Sequence, residues 1–330
     1  MGSKLRAMLL FGIASLALSG WTPEGWAQMK IARVGILTVD AITEDSEERR
    51  WFEPFRRKLA ERGWAQPRDV SFEYRNAGGD PSRYTEAAAE LARLKVDVIF
   101  AASAPALRAS YAATRTIPIV ALDLTTDPVA AGYVEPRTRR GGNVTGVFLD
   151  APGFAGKWLE LLKAMIPGLS RVAVLWDPSP GDAHLRAIQS AGRSFGVQVE
   201  VVEVRKPDDL DRAFSALRTR PQALVILPSP MLYVQGERLA KLAMKQRLPA
   251  TSMFRRFAEA GGTLAYGPEM PATAERCAVL VAQILGGAKP EALPPESPER
   301  FELVVNIKTA KAIGLTVPES VLAGATVVIR

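Results

Sequence analysis

From residue 33 onward the chain alternates between short apolar runs and longer amphipathic stretches. "RVGILT" (33–38) is apolar and bounded by polar residues, the pattern of a buried strand. "SEERRWFEPFRRKLAERG" (46–63) spaces Trp51, Phe55 and Leu59 as one helical stripe, with Pro54 expected in its first turns and Gly63 ending it. "VSFEYR" (70–75) reads as a strand. Asp80 and Pro81 then read as the N-cap and first residue of a helix. "VDVIFAA" (96–102), a helix near 104–114 and "IPIVAL" (117–122) keep the rhythm. It resumes with "NVTGVF" (143–148) and a helix striped by Phe154, Trp158, Leu161, Leu162 and Met165. "RVAVLW" (171–176), a helix near 182–195, "VQVEVVEV" (197–204), a helix at 208–218, "QALVIL" (222–227) and a helix at 233–246 follow. "LPATSMF", "TLAYG", the helix "PATAERCAVLVAQILGG", "FELVVN", a short helix near 307–313 and "ATVVIR" complete the chain.

Strands alternating with helices predict parallel sheets flanked by helices. About a dozen strands are too many for one ordinary doubly wound sheet. Two similar α/β domains account for them better than an eight-unit TIM barrel, whose rhythm would not break after residue 250. The Pro-rich "KPEALPPESPE" (289–299) reads as a crossover segment.

The segment ahead of this pattern is of another kind. Lys4 and Arg6 precede the apolar stretch 7–20, and "GWA" (25–27) places small residues where a secretory signal is cut. Residues 1–27 therefore read as a signal peptide cleaved near Ala27, making the mature chain an exported, periplasmic protein. The 330 residues carry a formal charge of +7. No dense basic run accompanies that charge. "RTRR" (137–140) reads as a loop, so no nucleic-acid partner is expected.

The candidate chemistry is thin. Cys277 is the only cysteine and sits in an apolar helical pattern, which reads as a buried structural thiol. His184 is the only histidine and reads as a surface or helix-start residue. One Cys and one His cannot build the usual zinc clusters. There is no phosphate-binding loop, and "GGNVTG" (141–146) has Asn143 where a dinucleotide fingerprint needs glycine. No cofactor and no metal are expected.

Ligands of open α/β sheets bind beyond the carboxyl ends of the strands. That rule selects Thr38, Ser103, Asp123, Thr125, Asp127, Trp176, Asp177, Ser229, Phe254 and Tyr266 as candidate ligand-binding residues. Carboxylates receive ammonium groups, hydroxyls and backbone N–H groups receive carboxylates, and aromatic rings sandwich an apolar body. This set suits capture of a small polar metabolite better than bond-breaking. The same residues also fit capping and turn duty for Ser103, Asp127, Asp177 and Ser229, and core or hinge packing for Trp176 and Tyr266.

"DPVAAG", "GGNVTGV", "KWLELLKAMIPGLSRVAVLWDP", "FAEAGGTLAYGP", "AQILGGAKPEALP" and "FELVVNIKTAKAIGLTVPESVL" together resemble the substrate-binding protein family of ABC transporters that includes tryptophan- and other aromatic-amino-acid-binding members. The resemblance runs in order over the mature chain. It implies a type I periplasmic binding protein fold, two Rossmann-like lobes joined by a three-crossing hinge. The lobes would be 28–148 with 266–297, and 149–265 with 298–330. The crossings are expected near Val147–Asp150, Leu264–Gly267 and Pro298–Leu303. It also implies a monomer that closes on a small-molecule ligand and presents it to the membrane permease subunits of an ABC transporter, with no chemistry performed. The chain departs from the aromatic-amino-acid members at Pro230, where a polar side chain is common, so the ligand is carried over only as a small molecule, an amino acid being one option.

Two other readings stand beside this one. An exported enzyme would use Asp123 and Asp127 as acid and base. A ligand-sensing partner of a signalling protein would share the fold and the cleft.

Overall fold

A computed structural model describes residues 31–44, 46–135, 142–149, 151–217 and 220–330. Residues 1–27, read from sequence as a signal peptide, the "RTRR" stretch and Asp150 lie outside the described residues. The first half builds β1 (Ala32–Thr38), α1 (Glu47–Glu61), β2 (Val70–Asn76), α2 (Arg83–Arg93), β3 (Val98–Ala101), α3 (Ala104–Ala113), β4 (Ile119–Asp123) and β5 (Val144–Phe148). Its sheet is parallel throughout, in the order β2-β1-β3-β4-β5. Because helices cover both faces, β3, β4 and β5 are buried at every residue, which is why they read as unbroken apolar runs.

The second half begins with α4 (Ala151–Met165), β6 (Arg171–Trp176), α5 (Ala183–Phe195), β7 (Gln198–Glu203), α6 (Asp209–Ser215) and β8 (Ala223–Ile226). It continues through α7 (Pro230–Val234), α8 (Gly236–Lys245), β9 (Ala250–Ser252), α9 (Arg255–Glu259), β10 (Leu264–Pro268) and α10 (Met270–Leu285). It closes with β11 (Phe301–Asn306), α11 (Ile307–Ala312), α12 (Glu319–Ala323) and β12 (Val327–Ile329). The second sheet runs β12-β11-β10-β9-β8-β6-β7, with β10 and β11 antiparallel and its other pairs parallel. The five strands β7, β6, β8, β9 and β10 repeat the spatial order of the first sheet, so each lobe has one switch point, at β1/β3 and at β6/β8.

The chain changes sheets three times. It leaves the first after β5, returns after β10 to place α10 against α1, and leaves again between Glu296 and β11. Glu296 is bonded to β5, accepting from the backbone N–H of Phe148 at 2.8 Å and donating its own to Gly146 O at 2.9 Å. Glu269 N–H donates to Arg300 O at 2.9 Å, which ties two of the passages together. Residues Leu264–Gly267, where a crossing is expected from sequence, belong to β10: Leu264 and Ala265 pair with Thr251 and Ser252 of β9. The passage follows at Glu269. Phe301–Leu303, likewise expected in a crossing, already lie in β11.

Local details depart from pattern expectations for physical reasons. Pro54 lies in the middle of α1, not in its first turns. A proline there costs about 3 kcal/mol. The helix persists because Trp51, Phe52, Phe55 and Leu59 are all buried, each contributing roughly 1.5–3 kcal/mol. Asp80 does not cap α2 directly. Its Oδ1 accepts from Ser82 N–H at 2.9 Å and Ser82 Oγ at 2.8 Å, fixing the turn before the helix. The helix expected at 233–246 is two, α7 and α8, meeting at Gln235. No helix among the described residues is long and apolar enough to cross a membrane.

Candidate functional site

Both switch points open on one cleft, whose space free of protein atoms, its solvent-open mouth included, is about 600 Å³. Val39 follows β1, Ala102 and Ser103 follow β3, and Leu124 and Thr125 follow β4, forming one wall with Glu48 and Trp51 of α1. Pro228 and Ser229 follow β8, and Phe254 follows β9. With Tyr233 of α7 they form the other wall, and Met270, which opens α10 after the passage at Glu269, completes the lining. The lining is mostly apolar and aromatic, as small-molecule sites usually are.

The polar groups come from helix starts. Ser103 caps α3, its Oγ accepting from Ala106 N–H at 3.3 Å. Ser229 caps α7 in the same way, accepting from Leu232 N–H at 3.0 Å. A hydroxyl used as an acceptor keeps its O–H to donate, so each serine does structural work and retains one donor. Tyr233 and Phe254 meet edge to face with ring centroids 4.9 Å apart. The Arg256 guanidinium lies 5.5 Å from the Tyr233 ring centroid on the outer side.

Of the ten residues selected from sequence, Ser103, Thr125, Ser229 and Phe254 line this cavity. The other six serve the fold nearby. Thr38 is buried, and its Oγ1 donates to Asp40 O at 2.6 Å; the neighbouring Val39 takes the cavity wall instead. Asp123 is fully buried and accepts from Thr125 N–H (2.9 Å), Thr125 Oγ1 (3.0 Å) and Thr126 N–H (3.1 Å). Burial pushes its carboxyl above the usual carboxylate range, against these hydrogen bonds. Asp127 is exposed and accepts from Val129 N–H (2.9 Å) and Ala130 N–H (3.2 Å). Both carboxylates are thus engaged in turns, and neither lines the cavity, so an acid–base pair finds no geometric footing.

Asp177 is buried and holds Ser179 through its N–H at 2.9 Å and its Oγ at 2.8 Å. Trp176 Nε1 donates to Gly181 O at 3.1 Å. Tyr266 stacks on Phe154 (centroids 5.1 Å) and Phe301 (6.0 Å), while its carbonyl accepts from Trp158 Nε1 at 2.9 Å. This aromatic stack braces the passages between sheets. His184 does begin a helix, but it is buried, and its Nε2 lies 2.7 Å from Leu124 O, joining α5 to the loop after β4.

Glu48, Trp51 and Met270 line the cavity and were not among the strand-end residues. They sit in the opening turns of helices that follow a strand. The strand-end rule holds for them once it is extended by one helical turn. No cluster of three or more His, Cys, Asp or Glu among the described residues is placed to hold a metal ion.

The sequence profile of the ABC transporter substrate binding protein family matches residues 37–329. The chain belongs to this family. A curated relative of this substrate-binding protein is the "Tyrosine-binding protein" of Clostridioides difficile (strain R20291), 24% identical over 265 residues, 79% of this chain and 75% of the relative. Among solved structures, an ABC domain in complex with L-Trp from Streptococcus pneumonia is similar with a TM-score of 0.81 and 24% identity, covering 90% of this chain and 99% of that one. A conserved domain protein from Vibrio cholerae also reaches 0.81 at 24% identity, covering 91% of this chain and 100% of that one. These likenesses, with the two parallel-dominated sheets, give the substrate-binding protein the type I periplasmic binding fold.

Proposed function

We propose that this chain is exported, captures a small molecule with an aromatic body in the cavity between its lobes, and delivers it to the permease of an ABC importer. An aromatic amino acid is the ligand class the lining supports best. The observation that carries the reading is the lining itself: Trp51 on one wall faces a site completed by Tyr233, Phe254 and Met270, with Ser103 and Ser229 presenting hydroxyls at helix starts. Rings of that kind grip a planar apolar body, and the hydroxyls fix its polar end. The ligands named for two similar proteins, tyrosine and L-Trp, are of the same class. Export rests on the basic, apolar and small-residue order of residues 1–27. The protein acts as a monomeric binder with no turnover.

Isothermal titration of the purified mature chain with L-tryptophan, L-tyrosine and L-phenylalanine tests the ligand class. One-to-one saturable binding of at least one is expected, with no consumption of ligand. Binding confined to sugars or other non-aromatic solutes overturns the reading. N-terminal sequencing of the exported protein should begin at Gln28.

A further inference from the structure

The aromatic end of the cleft is also a wall of a second, outer pocket. Trp51, Tyr233, Phe254 and Met270 line both, whereas the hydroxyls of Ser103 and Ser229 belong to the inner cleft alone. A ligand whose polar end meets those hydroxyls therefore points its ring at the shared residues, and the far edge of the ring toward the outer pocket. That pocket is charged. Its lining includes Arg50, Arg255 and Arg256, and Glu259, Glu269 and Glu302. The three acids are all matched. Glu259 takes Arg50 at 2.6 Å and Arg255 at 2.7 Å, Arg255 also lies 3.6 Å from Glu302, and Glu269 takes Arg300 at 3.1 Å. Arg256 is the lining cation left over. Its guanidinium lies 5.5 Å from the centroid of the Tyr233 ring, on the shared wall, and no carboxylate among the described residues forms an ion pair with it. Glu237 lies within reach of its charge but is exposed and bonded to Lys241 at 2.6 Å.

We infer that Arg256 makes the outer pocket a second subsite, which takes an anionic group carried on the far edge of the ligand's ring. A guanidinium lying over an aromatic face keeps the N–H groups at its edge for a planar oxyanion. A hydrogen bond between such charged groups is stronger than one between neutral groups. Only a ligand that spans both pockets makes it. A ligand with an unsubstituted ring fills the inner cleft and leaves Arg256 to water. The ligand class is thereby narrowed to aromatic amino acids bearing an acidic ring substituent, with Arg256 as a specificity-determining residue. The inference rests on the aromatic reading of the cleft above.

The test uses a matched pair, para-carboxy-L-phenylalanine and para-carbamoyl-L-phenylalanine, alike in shape and different by one charge, with L-phenylalanine as the parent. Isothermal titration of the mature chain at neutral pH should show the acid binding about tenfold more tightly than the amide, the scale of a hydrogen bond to a charged group. Arg256→Gln should bring the acid and the amide within about twofold of each other. An acid and an amide that bind the wild type alike overturn the inference, and so does a preference for the acid that survives Arg256→Gln. Binding of the parent with both para-substituted forms excluded also overturns it, while leaving the aromatic reading intact. If neither these three nor L-tryptophan and L-tyrosine bind, the aromatic reading and the inference fall together.

Discussion

Acidification should strain the junction at His184, and the strain is measurable. The imidazole is buried, and Leu124 O accepts the Nε2 proton at 2.7 Å. A carbonyl only accepts, so Nε2 carries the hydrogen and Nδ1 is left bare, with no hydrogen-bond partner. A second proton on Nδ1 would place a full charge in an apolar setting beside Trp158, whose ring centroid is 5.9 Å away. Burial, opposed by the Leu124 bond, depresses the imidazole from 6.5 to about 4. The unfolded chain takes up this proton near pH 6.5, whereas the folded chain holds none until about pH 4. The histidine's contribution is therefore intact above pH 6.5 and falls as pH drops, by about 1.4 kcal/mol per pH unit, or about 3 kcal/mol over the whole window. His184→Gln keeps an N–H for Leu124 O and removes the titration. Urea unfolding at pH 7.0 and pH 4.5 should show the wild type losing about 2.5 kcal/mol more than the variant. The difference between proteins is the quantity to read, because buried Asp123 and the surface carboxylates titrate in both. Equal losses, within about 0.5 kcal/mol, would refute the reasoning.

Two further predictions concern the passage between lobes. Gly146 pairs with Ala121 at a φ of +147°, and a Cβ there would lie 2.1 Å from Ala121 O; Gly146→Ala should cost about 3 kcal/mol or more in chemical denaturation, or abolish soluble expression. Cys277 is fully buried in α10, and burial pushes its thiol up, so iodoacetamide should leave the native protein unmodified over an hour and label it stoichiometrically in 6 M guanidinium, about the concentration that unfolds most domains.

The alternation of apolar runs and amphipathic stretches was enough to lay out two α/β lobes, because strands buried on both faces and helices striped on one have different periods. Boundaries were less legible where tertiary contacts decide them. Nothing local marks Leu264–Pro268 as a strand and not a passage; its place in the second sheet follows from pairing with Thr251 and Ser252. At the site, Ser103, Thr125, Ser229 and Phe254 were readable because they follow strands at or beside the switch points. Asp123, Asp127 and Asp177 share that signature, since an Asx turn and a ligand contact ask for the same residue at the same place. Trp51 was hidden for a different reason. Its spacing with Phe55 and Leu59 is that of a core stripe, and periodicity does not separate a ring facing core from one at the end of the stripe facing a cavity. Glu48, one turn into a helix, looks in sequence like ordinary dipole compensation.

The contacts that join the two lobes bear on how capture would work. Arg50 of α1 pairs with Glu259 of α9 at 2.6 Å, but the two side chains are 57% and 28% exposed. A pair so placed contributes roughly 0.2–1 kcal/mol. Arg108 of α3 donates to Ser179 O at 3.2 Å, and His184 to Leu124 O at 2.7 Å, each worth about 0.5–3 kcal/mol net. Polar contacts alone thus supply only a few kcal/mol before the cost of ordering long side chains. Polar contacts therefore do not by themselves hold the lobes together, and on the proposed function a ligand filling the cavity would add to the closed arrangement. A ring held between Trp51 and the Tyr233–Phe254 pair touches both walls at once. Each further 100 Å² of apolar surface buried on closure would favour the closed arrangement by about 2.5 kcal/mol. Recognition and closure are on this account one event. That is why the aromatic residues, and not the more conspicuous ion pairs at the rim, are the ones whose removal should leave the lobes indifferent to ligand.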